Sequence, residues 1–181
     1  MAERDLTAAY LMAARAHAGQ RRRGAAGTPY INHPCEVADL VAGAGGARAA
    51  IIAAVLHDTV EDTDLDIGAI EVAFGEEVAA LIGWLTDPED WGALPRRDRK
   101  RRQAEKIRGA PVAARMVKLA DQTANVNDIA RDPSAWTPAD GRAYVESAAA
   151  VAAACGDVAP ELEAAFRAAH TAALDRLEAV G

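Results

Sequence analysis

Apolar positions recur at helical spacing from the start of the chain. In residues 5–18, Leu6, Ala9, Tyr10, Ala13 and Ala16 share one face, which predicts a helix ending near Gly19. The next stretch, QRRRGAAGTPYINHP, is rich in glycine, proline and charge and reads as a loop. Asn32 is placed to cap a second helix, with Pro34 in its first turn and Cys35 to Ala42 following; GAGG at 43–46 ends it. Residues 47–60 (ARAAIIAAVLHDTV) are the most apolar window. They contain no proline or glycine and too many alanines for a strand, so they predict a central buried helix that ends in polar residues. Shorter helices are expected over 64–75 and 76–87, then a loop holding Pro88, Gly92 and Pro95, then the basic helix RRDRKRRQAEKIRG. Pro111 opens a long helix, PVAARMVKLADQTANVNDIARD, and two more follow at about 137–154 and 159–178. The expected architecture is all-α, one domain over residues 1–181 with eight or nine helices.

Composition narrows this further. Of the 181 residues, 46 are alanine, while Phe, Trp and Tyr supply only 8, so an all-β fold is excluded in practice. Lys and Arg total 20 against 27 Asp and Glu, giving a net charge of -7 that disfavours an overall basic nucleic-acid binder. Two cysteines, Cys35 and Cys155, make neither a disulfide framework nor a thiolate metal site. Glu3, Arg4 and Asp5 stand where a signal peptide needs an apolar run, and no 18-residue apolar stretch occurs. The expectation is a soluble, cytoplasmic protein with no membrane contact.

Several polar residues do not suit a core helix. His57 and Asp58 close the most hydrophobic segment, where an ionisable side chain costs several kcal/mol unless paired, protonated or metal-bound. Spacing of i, i+4 sets Glu61 over His57 and Asp62 over Asp58 if the helix persists. Carboxylates this crowded repel one another unless a cation sits among them. His33 precedes the second helix, and Asp121 follows the apolar run Met116 to Ala120. Two imidazoles and two carboxylates suit manganese, iron or zinc better than a soft metal. Read from spacing alone, the same residues also serve as caps or surface groups.

The strings GTPYINHP (27–34), AAVLHDTVEDT (53–63), FGEEV (74–78), LTD (85–87) and VKLAD (117–121) together resemble the HD-domain hydrolases of the RelA/SpoT family, most closely the small stand-alone alarmone hydrolases. The blocks keep the family's order over residues 17–130, with a helical C-terminal extension beyond. The resemblance implies a metal held by His33, His57, Asp58 and Asp121, with Mn2+ expected and Fe2+, Co2+ or Zn2+ as alternatives. It implies catalytic roles for Glu61 and Asp62 of the HDxxED motif, where a carboxylate orients water or takes its proton. It also places a basic pair at Arg22 and Arg23, where the family commonly has Arg-Lys, and a nucleotide contact at Asn125. The RRDRKRR run (96–102) offers Arg97 and Arg101 as further substrate-binding cations whose field focuses a polyanion, although a plain solvated helix face would look the same. The family's usual Lys after the last Asp is Gln122 here, and an aromatic often found before the Asn is Ala124.

The activity this implies is removal of the 3′-pyrophosphate from guanosine tetra- or pentaphosphate, giving GDP or GTP and pyrophosphate. The partner is then a small guanosine polyphosphate and not nucleic acid, and the synthetase of the larger family members is not expected within 181 residues. Two alternatives differ in outcome: a nucleotide phosphatase acting on the 2′-phosphate of NADPH, and a catalytically silent helical module that binds nucleotide or a partner. Tyr30 reads as a packing residue beside His33, and Lys118 as either structural or a group supporting a metal ligand.

Overall fold

The computed structural model describes residues 2–24 and 27–180. Their helices are α1 (Ala2–Ala16), α2 (Asn32–Gly43), α3 (Arg48–Leu56), α4 (Thr59–Asp62), α5 (Ile67–Phe74), α6 (Glu76–Leu85), α7 (Arg96–Ile107), α8 (Val112–Arg131), α9 (Pro138–Cys155) and α10 (Pro160–Ala179). Two short 3-10 turns, Glu89–Ala93 and Pro133–Ala135, complete the set. Among the described residues the only β-type pairing is an isolated bridge between Arg21 and Pro29. The all-α expectation holds, with nine helices of eight residues or more and the four-residue α4 besides. No helix is long and apolar enough to cross a membrane among the described residues.

The long helix α8 is the structural axis, packed against α2, α3, α6, α7, α9 and α10. Apolar residues Ala114, Val117, Leu119, Ala120, Ala124, Val126 and Ile129 are buried on several of its sides, as a helix enclosed by neighbours requires. In the same helix Lys118, Asp121, Gln122 and Thr123 are also buried, so the axis of the fold carries polar chemistry into the core. Small residues allow the close approach of the remaining helices. A β-carbon at Gly141 of α9 would lie 2.6 Å from Cδ2 of Leu177 in α10, so only glycine lets that leucine seat. At the α2–α3 turn, a β-carbon on Gly46 would collide with Val41 Cγ1 and lie 2.8 Å from the Val41 carbonyl oxygen.

Two local expectations change. Asn32 does not cap α2: Ile31 holds the cap position with helical angles and no side-chain bond. The chain is already turning, because the Asn32 and His33 amides donate to the Pro29 and Tyr30 carbonyls at 3.2 and 2.9 Å. The helix predicted over 47–60 stops at Leu56. Thr59 Oγ1 donates to the Leu56 carbonyl at 2.7 Å, and His57 and Asp58 form the turn between α3 and α4.

Candidate active site

His57 and Asp58 project from the α3–α4 turn, His33 from the first turn of α2, and Asp121 from the middle of α8. The imidazoles of His33 and His57 are buried, with ring centroids 5.2 Å apart. His57 Nδ1 lies 2.8 Å from the Ala54 carbonyl oxygen, which can only accept, so that nitrogen carries the hydrogen. Nε2 is left buried without a hydrogen-bond partner, 3.2 Å from Asp58 Oδ1 and 3.8 Å from Asp121 Oδ1. His33 Nε2 lies 3.6 Å from Asp58 Oδ2 and 3.4 Å from Asp121 Oδ1. Ligand atoms of His33, His57 and Asp58 all fall within 4.8 Å of one another. These three residues form a triad suited to a divalent metal ion: a buried, orphaned imidazole nitrogen of fixed tautomer faces hard carboxylate oxygens.

The electrostatics agree with that reading. Burial pulls the His57 pKa down, but Asp58 and then Asp121 outweigh it and raise the pKa to about 9. Burial alone would raise both aspartates. The two histidines instead hold Asp58 below the usual range, and Lys118 together with His33 and His57 holds Asp121 well below it. Lys118 Nζ is 3.1 Å from Asp121 Oδ2, and Asn125 Nδ2 donates to Oδ1 at 2.5 Å. Lys118 is therefore a partner of Asp121, the supporting role that is one of its two expected readings.

Glu61 and Asp62 lie on the rim of this cluster. Asp62 falls over Asp58 as the spacing predicts, with its amide donating to the Asp58 carbonyl at 2.9 Å. Tyr30 joins the two: its hydroxyl donates to Asp58 Oδ2 at 2.7 Å and lies 3.0 Å from Asp62 Oδ2. The Glu61 carboxylate accepts from the Asp87 amide at 3.1 Å, while His57 Nε2 faces Asp58 and Asp121. Lys106 fixes that loop through the Gly83 and Thr86 carbonyls, and Gln103 does so through the Asp87 carboxylate. Burial raises the pKa of both Glu61 and Asp62, and for Asp62 the neighbouring Asp58 adds to it.

The predicted substrate cations divide into two groups. Arg22 comes to the site, donating through Nε to Asp128 Oδ2 at 2.8 Å and through Nη2 to Asn125 Oδ1 at 2.7 Å. Arg23 instead lies over the Trp136 ring, 4.0 Å from its centroid. With Tyr30, Asn125, Trp136 and Tyr144, these arginines line one cavity. Arg97 and Arg101 stand on the exposed flank of α7 and line a different, larger cavity of about 820 Å3 between α7 and α9. Tyr144 belongs to both cavities and connects them. Trp136 and Tyr144 were not predicted as site residues. A signal existed for Trp136: it is one of 8 aromatic residues and sits in the string RDPSAWTPAD, which holds no other large apolar residue.

Comparison with known proteins fits this geometry. The family model described as HD domain matches residues 9–153. The chain is 42% identical over 142 residues to human guanosine-3′,5′-bis(diphosphate) 3′-pyrophosphohydrolase MESH1, covering 77% of this chain and 78% of that one. Its likeness to the bifunctional (p)ppGpp synthase/hydrolase SpoT of Escherichia coli is 37% over 130 residues, covering 68% of this chain and 18% of that protein. Among solved structures, one of a metazoan orthologue of SpoT described as hydrolysing ppGpp superposes with a TM-score of 0.83 at 30% identity, over 91% of this chain and 93% of that one. The chain belongs to the HD-domain family, together with MESH1 and the metazoan SpoT orthologue.

Proposed function

We propose that this protein is a metal-dependent 3′-pyrophosphohydrolase of guanosine tetra- and pentaphosphate, releasing GDP or GTP and pyrophosphate. The observation that carries the reading is the unpartnered His57 Nε2 facing Asp58 and Asp121, with two further carboxylates of raised pKa beside it. The likeness to MESH1 supplies the substrate class.

In this reading His33, His57, Asp58 and Asp121 hold the cation, and the borderline-to-hard donor set favours Mn2+. A divalent cation so held lowers the pKa of bound water and neutralises charge on a phosphoryl oxygen. Asp62 and Glu61 take the proton and orient the attacking water, and their raised pKa values make them stronger bases than an exposed carboxylate. Tyr30 holds Asp62 in register with Asp58 through its hydroxyl. Arg22, fixed by Asp128 and Asn125, presents a pre-oriented guanidinium to the leaving anion. Asn125 contacts the sugar or phosphate, Trp136 and Tyr144 give the base an aromatic wall, and Arg23, Arg97 and Arg101 supply positive field along the two cavities.

The test is a Mn-supplemented assay of the purified protein with ppGpp, pppGpp and NADPH, in which pyrophosphate and phosphate are quantified separately. Pyrophosphate from the guanosine nucleotides is the expected product. Phosphate from NADPH alone would replace this reading with a nucleotide phosphatase, and no turnover of any of the three would leave a silent binding module.

A further inference from the structure

Gln122 is fully buried in the middle of α8, next in sequence to Asp121. Its two amide atoms face chemically opposite partners. Oε1 accepts from Lys100 Nζ at 2.9 Å, and Nε2 donates to Asp121 Oδ2 at 2.8 Å. An ammonium has only donors and a carboxylate only acceptors, so the amide cannot flip without opposing like groups at both ends. The orientation of Gln122 is thus dictated by Lys100 on one side and Asp121 on the other. Lys100 is itself buried on α7, and beyond Gln122 its ammonium faces the Tyr144 ring at 5.4 Å.

The two oxygens of Asp121 are consequently unequal. Oδ2 is engaged by both Gln122 and Lys118. Oδ1 accepts from Asn125 Nδ2 at 2.5 Å and faces the imidazoles, 3.4 Å from His33 Nε2 and 3.8 Å from His57 Nε2. We propose that Gln122 is a positioning residue which holds Asp121 so that Oδ1 alone meets the cation, and that Lys100 acts on the metal centre through it. This rests on the metal-centre reading above. Of the common side chains of this size, glutamine is suited to bridge a donor-only and an acceptor-only group. Glutamate would oppose Asp121, lysine would oppose Lys100, and methionine would fill the volume but make neither hydrogen bond. Through this bridge the basic helix α7 and its cavity are tied to the ligand set, although no residue of α7 is a ligand.

The test is calorimetric titration of Mn2+ into the metal-free full chain, comparing wild type, Q122M, K100M and the double variant, with melting temperatures recorded on the same samples. Loss of a partner that orients a ligand costs roughly 10- to 100-fold in metal affinity, so Q122M is expected to bind Mn2+ about tenfold more weakly or worse. K100M is expected to weaken binding by less, and the double variant to match Q122M within about twofold, because the hydrogen-bonded route from Lys100 to Asp121 runs through Gln122. In nucleotide turnover, saturating Mn2+ restores kcat of Q122M and leaves the nucleotide KM unchanged. Wild-type Mn2+ affinity in Q122M, or full additivity of the two substitutions, would overturn the proposal. If Q122M does not fold, an unchanged Mn2+ affinity in K100M overturns it instead. D121A separates the two levels of inference: metal lost in D121A but retained in Q122M sinks only the positioning role, whereas metal retained in D121A sinks the metal-centre reading itself.

Discussion

The hydroxyl of Tyr30 donates to Oδ2 of Asp58 at 2.7 Å, bringing the loop before α2 onto the turn after α3. One proton serves two carboxylates there, because Asp62 Oδ2 is only 3.0 Å away. The tyrosine thus holds a residue of the metal triad and a rim carboxylate at a fixed separation. A hydrogen bond to a charged group contributes roughly 1.5–3 kcal/mol. Y30F should therefore lower kcat by roughly ten- to a hundredfold with little change in nucleotide KM, measured by steady-state kinetics. A rise in KM at constant kcat would assign Tyr30 to substrate binding instead.

Removing a ligand and removing a rim carboxylate should have different signatures. D58A and D121A are expected to lose Mn2+ binding and turnover together, read by calorimetry and product release. E61Q and D62N should keep Mn2+ affinity within a few-fold and lose turnover by roughly a hundredfold or more. Wild-type rates in all four variants would remove these residues from the reaction.

Chelation should expose the same site thermodynamically. Two buried imidazoles and two carboxylates converge there, so the cation stabilises the folded state by mass action. At a free Mn2+ concentration about a hundred times Kd, the gain is about 2.7 kcal/mol, or a melting temperature raised by roughly 5–10 °C in a domain of this size. Differential scanning calorimetry with and without chelator measures it, and D58A should show no shift.

Arg22 offers a test of nucleotide binding that spares the fold. Its partner Asp128 keeps a second cation, since Arg131 Nη1 lies 3.2 Å from Asp128 Oδ1. R22A is expected to raise the ppGpp KM roughly tenfold while its melting temperature stays close to wild type. A collapse in stability would identify the Arg22–Asp128 pair as structural.

Lys100 should leave a mark on stability at alkaline pH. Burial, and then the positive charge of Lys118, lower its pKa from 10.5 to about 8, although Asp121 and Asp87 pull the other way and Arg99 adds to the depression. Its folded-state pKa is therefore below the unfolded one. Between about pH 8 and 10.5 the unfolded chain binds more protons, so stability rises with pH across that window. The cost of burying the charge is fully present below pH 8 and gone above 10.5. In the metal-free protein, wild type should gain on the order of 2–3 kcal/mol relative to K100M over this range, measured by urea unfolding. A difference independent of pH would show that Lys100 is charged throughout.

The parts of this site legible in the sequence are those where a residue type clashes with its surroundings. His57 and Asp58 stand out because they end an apolar run, and Asp121 does for the same reason. Asp62 over Asp58 follows from helical spacing, which survives the short α4. Glu61 is different. Its partner is the Asp87 amide in the loop after α6, a tertiary contact that periodicity does not register. Asn32 misleads because its residue type suits a cap, while the preceding backbone has already begun to turn. Lys118 reaches Asp121 at i, i+3 within α8, but the contacts of Tyr30 with Asp58 and of Gln122 with Lys100 are set by tertiary partners that no spacing rule brings together.

The seat of Leu177 against Gly141 has a genetic consequence. The helix that carries Asp121 is braced from behind by α9 and α10, and these two helices lock together at a position where even a methyl group has no room. A screen for inactive alleles should thus return G141A, or polar replacements of Leu177, alongside changes in the ligands. Such alleles would be recognisable by low protein abundance rather than by a faulty reaction, and second-site changes that shrink residue 177 should suppress the first of them.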